Sequence, residues 1–417
     1  MEDRLYGLIG RKLGHSYSVA IHRELGNCNY SLFELEPEQL DDFFRRDDIG
    51  GLNVTIPYKL EVMKYCDVLS PVAQAIGSVN TIVRKSDGLL YGFNTDAYGF
   101  EFQVKLSGID FKGKKTVVLG SGGASLTVAY VAKKLGASEV VVVSRNGENN
   151  YDNLNRHSNA EIVVNATPVG MYPAVGRAPV DLHVFTKCEG AIELIFNPAR
   201  TAFLMQADEL GISNINGLPM LVAQAKAAEE LFFGINIDDS ENLKTYEKLR
   251  RETDNIVLIG MPGCGKSTVG AALAKITGRD LIDTDAEIEK ITGCTISDIF
   301  AKNGEDGFRE LEREMIAKLG LLTGKIISVG GGAVKDERNY IPLRQNGRVY
   351  YLERDLSLLS RDGRPLSQGT NLSEMYSERL TAYLRFRDVC VETRLTPEDT
   401  AAVIWREFNE NISDKRA

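Results

Sequence analysis

A chain of 417 residues is long enough for roughly two to three domains. Hydrophobic residues make up 43% and charged residues 26%, which excludes collagen-like and disordered classes. The net charge of −9 argues against general binding to nucleic acid or anionic membranes, but a pocket can still gather cations for small anions.

The six cysteines, Cys28, Cys66, Cys188, Cys264, Cys294 and Cys390, have neither zinc-ligand nor redox-motif spacing and fit a reduced compartment. The start, MEDRLYGLIGRK, carries no signal-peptide stretch. Apolar runs such as 139–143 are far shorter than the roughly 20 residues of a membrane helix. A cytoplasmic protein is expected, with neither membrane nor nucleic acid among its partners.

Short β-branched runs alternate with helical patterns throughout, which predicts an α/β architecture with parallel sheets. The first polar segment is His15-Ser16-Tyr17-Ser18. Two hydroxyls two residues apart can point together at a carboxylate, and standing alone they also suit an ordinary cap. Asn53-Val54-Thr55-Ile56-Pro57-Tyr58-Lys59 reads as a strand ending at a proline, then a helix carrying Lys59. A lysine there can act as a general acid in a cleft, or simply lie on the surface. Gly77–Thr81 and Gly92–Asp96 are further polar turns, and Asp96 could merely cap the helix that follows.

Thr116–Leu119 is a predicted strand leading into Gly120-Ser121-Gly122-Gly123-Ala124-Ser125 and an apolar helix. This approximates the dinucleotide fingerprint, with Ser125 at the third glycine. The next strand, Val140–Val143, ends at Ser144-Arg145. An acidic residue there would grip the ribose of NAD. Ser144 and Arg145 instead suit a 2′-phosphate, so NADP is expected. A strand over Ile162–Asn165 opens the loop Asn165-Ala166-Thr167-Pro168.

The motifs H-S-x-S, N-V-T-x-P-x-K, G-x-V-N-T and G-x-N-T-D, with a late L-V-x-Q-A at Leu221–Ala225, occur in that order. Residues 4–235 thereby resemble shikimate dehydrogenase. The resemblance implies that Ser16, Ser18, Thr55, Asn80 and Gln224 bind the substrate and that Lys59 and Asp96 form the acid/base pair. It also implies that Gly120, Ser121, Gly122, Gly123, Ala124, Ser144, Arg145, Asn165 and Thr167 hold NADP(H). Hydride addition to the ketone of 3-dehydroshikimate leaves an alkoxide that needs a proton and a cation, and a lysine supplies both. Two positions depart from the pattern. Val19 stands where the family commonly has proline, and Phe196 where a tyrosine is usual.

Asp238–Asp254 is polar, rich in Glu and Lys, and reads as a helical connector. The predicted strand Ile256–Ile259 then runs into Gly260-Met261-Pro262-Gly263-Cys264-Gly265-Lys266-Ser267, a full G-x-x-x-x-G-K-[ST] phosphate loop. Its amides converge on phosphates, Lys266 reaches the β/γ-phosphates, and the Ser267 hydroxyl ligates magnesium. Alternation would put Asp283 and Asp285 on one side of an extended chain, or they form a solvated acidic turn. Strands are also predicted over Lys325–Val329 and Val349–Leu352. Gly330–Gly332 allow backbone amides to meet a ligand, or make a plain turn.

The order of phosphate loop, D-x-D, Phe308-Arg309, G-G-G, Arg364-Pro365-Leu366 and Arg379 with Tyr383 resembles shikimate kinase over residues 255–405. The resemblance implies ATP binding by Gly263, Cys264, Gly265, Lys266, Ser267, Thr268 and Arg364. Lys266 and Arg364 would be catalytic. Asp285, Arg309, Gly331 and Arg379 would bind shikimate, and Arg361 would pack on adenine. Ser267 and Asp283, the latter through water, would hold Mg2+, with Ser328 nearby. The expected fold is a two-part α/β dehydrogenase, a substrate part plus a Rossmann part, followed by a P-loop kinase with a parallel sheet. The expected boundaries are 1–240 for the dehydrogenase (1–97 plus about 217–240, and 98–216 for NADP), 241–253 for the connector and 254–417 for the kinase. The two substrates would be 3-dehydroshikimate and shikimate.

Overall fold

The computed structural model describes residues 4–14, 16–27, 29–359, 372–394 and 396–411. Three sheets follow one another along the chain. The first comprises β1 (Leu5–Gly10), β2 (Tyr30–Glu34), β3 (Ile49–Val54), β4 (Val68–Leu69), β5 (Thr81–Arg84) and β6 (Leu90–Phe93), in the order β2-β1-β3-β5-β6-β4. It is mixed rather than parallel as expected: β5 runs antiparallel to both β3 and β6. The reason is local. The turn between β5 and β6 closes with Lys85 N–H on the Leu89 carbonyl at 3.1 Å and Gly88 at φ +82, and so short a link allows only an antiparallel pair.

The second sheet is wholly parallel, with β7 (Lys115–Leu119), β8 (Glu139–Val143), β9 (Ile162–Asn165), β10 (Gly190–Glu193) and β11 (Ser213–Ile215) in the order β11-β10-β9-β7-β8. Apolar clusters cover both its faces, as parallel sheets require. The helix Leu218–Phe233 then returns to the first sheet. A Cβ on Gly51 would lie 2.2 Å from the Phe232 ring, so only glycine lets the helix settle there.

The third sheet is also parallel: β12 (Asn255–Ile259), β13 (Leu281–Asp283), β14 (Ile326–Ser328), β15 (Gly347–Glu353) and β16 (Val389–Glu392), in the order β13-β14-β12-β15-β16. Every residue of β12 is buried, so the phosphate loop leaves the centre of the sheet. The connector forms the helix Ser240–Thr253. It is tied to earlier helices through Asp239, which accepts from Tyr98 Oη at 2.8 Å and Lys226 Nζ at 2.9 Å. Among the described residues no helix is long and apolar enough to cross a membrane.

Candidate active sites

In the N-terminal part, Lys59 Nζ donates to Asp96 Oδ2 at 2.5 Å, with side chains only 15% and 7% exposed. Lys59 sits in a turn ahead of the short 3-10 segment Glu61–Tyr65, not on a helix as predicted. The turn is pinned by fully buried Tyr58 and by Val79 N–H bonding to the Lys59 carbonyl at 2.9 Å. Asp96 is the first residue of the helix Asp96–Ser107 rather than its cap. Asn94 Oδ1 accepts the Ala97 N–H at 3.1 Å in that role, leaving the Asp96 carboxylate to Lys59. A carboxylate in the first helical turn also gains from the helix dipole.

Asn80 joins this centre. Its Oδ1 accepts the Thr95 N–H at 2.6 Å, and its Nδ2 donates to Thr95 Oγ1 at 3.0 Å and Gln224 Oε1 at 3.4 Å. Thr95, part of the G-x-N-T-D motif but given no role there, thus ties Asn80 to the residue before Asp96. Ser16 Oγ accepts the Ser18 N–H at 3.2 Å, so one hydroxyl is turned to the start of the helix Ser18–Glu24. His15 and Cys28 lie outside the described residues. Thr55 is half-buried beside Gly10. The helices bearing Ser18 and Gln224 are clamped by a buried pair, His22 and Glu229. Burial holds the His22 imidazole below its usual value, and Glu229 opposes this. Phe196 packs on Tyr17, ring centroids 5.1 Å apart.

The glycine loop abuts this centre. A Cβ on Gly123 would stand 2.8 Å from Ser78 Oγ and 3.1 Å from Lys59 Cβ. The helix Gly123–Lys134 has no side-chain cap, which leaves its first amides, beside Ser121, Gly122 and Ala124, to an anion. Gly120 has φ +109. Ser125 replaces the third glycine because its buried hydroxyl donates to the Gly122 carbonyl at 2.9 Å. At the end of β8, Ser144 is half-buried and Arg145 is exposed without a hydrogen bond or ion pair among the described residues. Asn165, expected at the cofactor, is fully buried; its Nδ2 bonds Glu193 and its Oδ1 accepts from Thr167 N–H and Oγ1, so its side chain braces the loop after β9.

In the C-terminal part, Gly260, Gly263 and Gly265 of the phosphate loop have φ values of +147, +85 and +98. Lys266 Nζ is folded onto the carbonyls of Gly260 and Met261 at 2.9 and 3.1 Å. Cys264 is buried, while Ser267 and Thr268 are exposed in the first turn of the helix Lys266–Thr277. Asp283 Oδ2 accepts from Ser267 Oγ at 2.8 Å and Ser328 Oγ at 3.0 Å. Three hard oxygen donors therefore converge, the chemistry that suits Mg2+. Only Asp283 is extended as predicted, as the last residue of β13, and Asp285 has already left the strand. Asp283 caps the helix Thr284–Thr292, and Asp285 lies in its first turn.

Asp285 Oδ1 is buried without a hydrogen-bond partner among the described residues, and burial with the neighbouring Asp283 charge raises its carboxyl. Arg309 Nη1 donates to Glu312 Oε2 at 2.6 Å. Glu312, absent from the sequence motifs, is fully buried, and burial raises its carboxyl against the pull of Arg309. Its spacing from Arg309, three residues along one helix, is the signal that could have found it. Arg379 Nη1 and the Tyr383 hydroxyl both donate to the Gly331 carbonyl, at 3.1 and 2.5 Å. The three glycines turn out to make room for side chains. A Cβ on Gly330 would lie 2.5 Å from Glu312 Oε1, and one on Gly332 2.2 Å from Arg309 Nη2. Arg361, Arg364, Pro365 and Leu366 lie outside the described residues.

Comparison with known proteins bears on both parts. A family model described as shikimate dehydrogenase substrate binding domain matches residues 8–82, and one described as shikimate kinase matches residues 262–409. The NADP(+) shikimate dehydrogenase of Clostridium perfringens SM101 is 37% identical over 268 residues, 59% of this chain and 98% of the relative. A chorismate mutase/shikimate 5-dehydrogenase fusion protein from Clostridium acetobutylicum has a similar structure, at 41% identity and TM-score 0.56, covering 60% of this chain and 98% of its own. The Thermus thermophilus shikimate 5-dehydrogenase in complex with NADP(H) and shikimate is 33% identical with TM-score 0.52, covering 58% and 98%.

Proposed function

We propose that this chain, which belongs to the shikimate dehydrogenase family and carries a shikimate kinase domain behind it, reduces 3-dehydroshikimate with NADPH and then phosphorylates the shikimate formed. Residues 1–240 act as the dehydrogenase, with 1–97 and about 217–240 for substrate and 98–216 for NADP. Residues 241–253 connect, and 254–417 form the kinase. The observation that carries the first half is the contact of the glycine loop with the lysine: a Cβ at Gly123 would crowd Ser78 Oγ and Lys59 Cβ.

NADPH, when bound, supplies the hydride. Lys59 gives its proton to the oxygen of the former ketone and offsets the charge that develops there. Asp96 orients Lys59 and accepts a hydrogen bond from a substrate hydroxyl. Asn80, Thr55, Gln224, Ser16 and Ser18 hold the rest of the substrate. Arg145 and Ser144 take the 2′-phosphate of the cofactor.

In the kinase half, Asp285 accepts a hydrogen bond from a hydroxyl of shikimate, while Arg309 and Arg379 hold its carboxylate beside Gly331. Ser267 and Asp283 would hold magnesium, which would offset phosphate charge when bound. Lys266, with Arg364, stabilises the transferring γ-phosphoryl group, leaving ADP and shikimate 3-phosphate. Every ligand is a small anion, and the protein works in the cytoplasm, away from membranes and nucleic acid. A single assay tests the reading. The intact chain receives 3-dehydroshikimate, NADPH, ATP and magnesium, and NADPH loss and ADP formation are followed together. Loss of NADPH without ADP, or neither, would contradict it.

A further inference from the structure

One cation at the phosphate loop belongs to none of the motifs above. Arg354 is the first residue after β15, which lies parallel to β12 with Ile259 paired to Tyr351. The two strand ends are drawn so close that a Cβ on Gly260 would stand 2.7 Å from the Leu352 carbonyl oxygen. Two residues on, Arg354 Nη1 lies 3.6 Å from where Gly265 would carry its Cβ. The guanidinium therefore rests against the glycine that opens the phosphate-loop helix.

Arg354 is half-buried and makes no hydrogen bond or ion pair among the described residues. Several other arginines of this part behave differently. Arg309 is paired with Glu312, Arg348 with Glu407 and Arg344 with Asp388, while Arg379 donates to the Gly331 carbonyl. A half-buried guanidinium without a partner has given up hydration and gained no bond in return. An anion at the loop would supply the missing acceptor. The loop amides and the uncapped helix start already mark that place for phosphate.

The sheet order adds direction. Asp283 and Ser328 end β13 and β14 on one flank of β12, and Arg354 follows β15 on the other. The Asp283 and Ser328 oxygens and the Arg354 guanidinium thus bracket the loop. We propose that Arg354 is a phosphate-binding residue of the kinase, its planar fork donating to α/β-phosphate oxygens of the nucleoside triphosphate from the β15 flank. This rests on the kinase reading above.

Steady-state kinetics on the full chain test it, with Arg354→Ala, Arg354→Gln and Arg354→Lys. In the alanine and glutamine variants the KM for ATP should rise about tenfold or more, the KM for shikimate should hold, and kcat should change little. Lysine should recover part of the loss, because it restores the charge but not the fork. NADPH oxidation by the same samples should match wild type and so certify the fold. An ATP KM within about twofold of wild type in both neutral variants would overturn the proposal, as would an equal rise in both KM values. If wild type itself fails to phosphorylate shikimate with ATP, it is the kinase reading that falls.

Discussion

Arg200, in the loop after β10, forms a forked ion pair with Asp388, which precedes β16 more than a hundred residues later. Both bonds are close to 3 Å, at 2.9 and 3.0 Å, and the side chains are 14% and 5% exposed. Arg200 Nε also donates to the Arg344 carbonyl at 2.9 Å, and Nη2 to the Gly347 carbonyl. The dinucleotide sheet and the phosphate-loop sheet are therefore joined by a buried guanidinium. Arg200→Ala should destabilise the C-terminal part by about 2–4 kcal/mol, because Asp388 keeps Arg344 as a partner but loses its forked one. Trp405, the single tryptophan, lies in the helix Pro397–Glu410 and reports the change as a lowered unfolding midpoint in fluorescence. An unchanged midpoint would count against the joint.

On the proposed function, the two chemistries use different cations. Lys59→Ala should cut NADPH oxidation by about 10²–10⁴-fold, since a positioned general acid contributes that much, and should leave phosphorylation of added shikimate intact. Lys266→Ala should do the reverse. Separate assays of the two variants decide, and loss of both activities in either one would contradict independent sites.

Glu193 links pH to stability. Burial pushes its carboxyl up to about 8 from the usual 4.5, against donation from Asn165, Ile195 N–H and Thr201. A folded-state value above the unfolded one means that ionisation favours unfolding. The contribution is full below pH 4.5 and is lost as the pH rises from there through about 8. Thermal melts across that window should fall more steeply for wild type than for Glu193→Gln. Parallel curves would refute this role for Glu193.

Gly332→Ala tests the proposed shikimate side of the kinase, which is crowded. Its Cβ would meet Arg309 Nη2 at 2.2 Å, the free end of a flexible side chain, so the fold should survive while Arg309 is displaced from Glu312. The KM for shikimate should rise about tenfold or more, with the KM for ATP and NADPH oxidation near wild type. A rise in the ATP KM of equal size would point to general damage instead.

Much of this could be read along the chain because it is local. The strands at 116–119 and 256–259, the glycine loops after them and the helical connector follow from runs of β-branched residues, glycine placement and Glu/Lys content. Lys59, Asp96, Lys266 and Arg379 stand out by motif order. Other features were hidden because they depend on what the chain meets. The antiparallel β5 reflects one tight turn. Asp283 became a helix cap because the backbone turns at Thr284, and Asn165 a brace because Glu193 lies beside it.

By itself, then, the sequence determined which residue types were available, in what order, and which loops could accept phosphate, since backbone freedom and periodicity are properties of neighbours. Only the tertiary structure decided that Gly123 lies on Lys59, that Glu312 holds Arg309, that Arg354 stands at Gly265 and that Arg200 reaches Asp388. Those relations join segments from tens of residues to nearly two hundred apart, or depend on which helix face is buried. Burial, not spacing, sets which partners a charge can find.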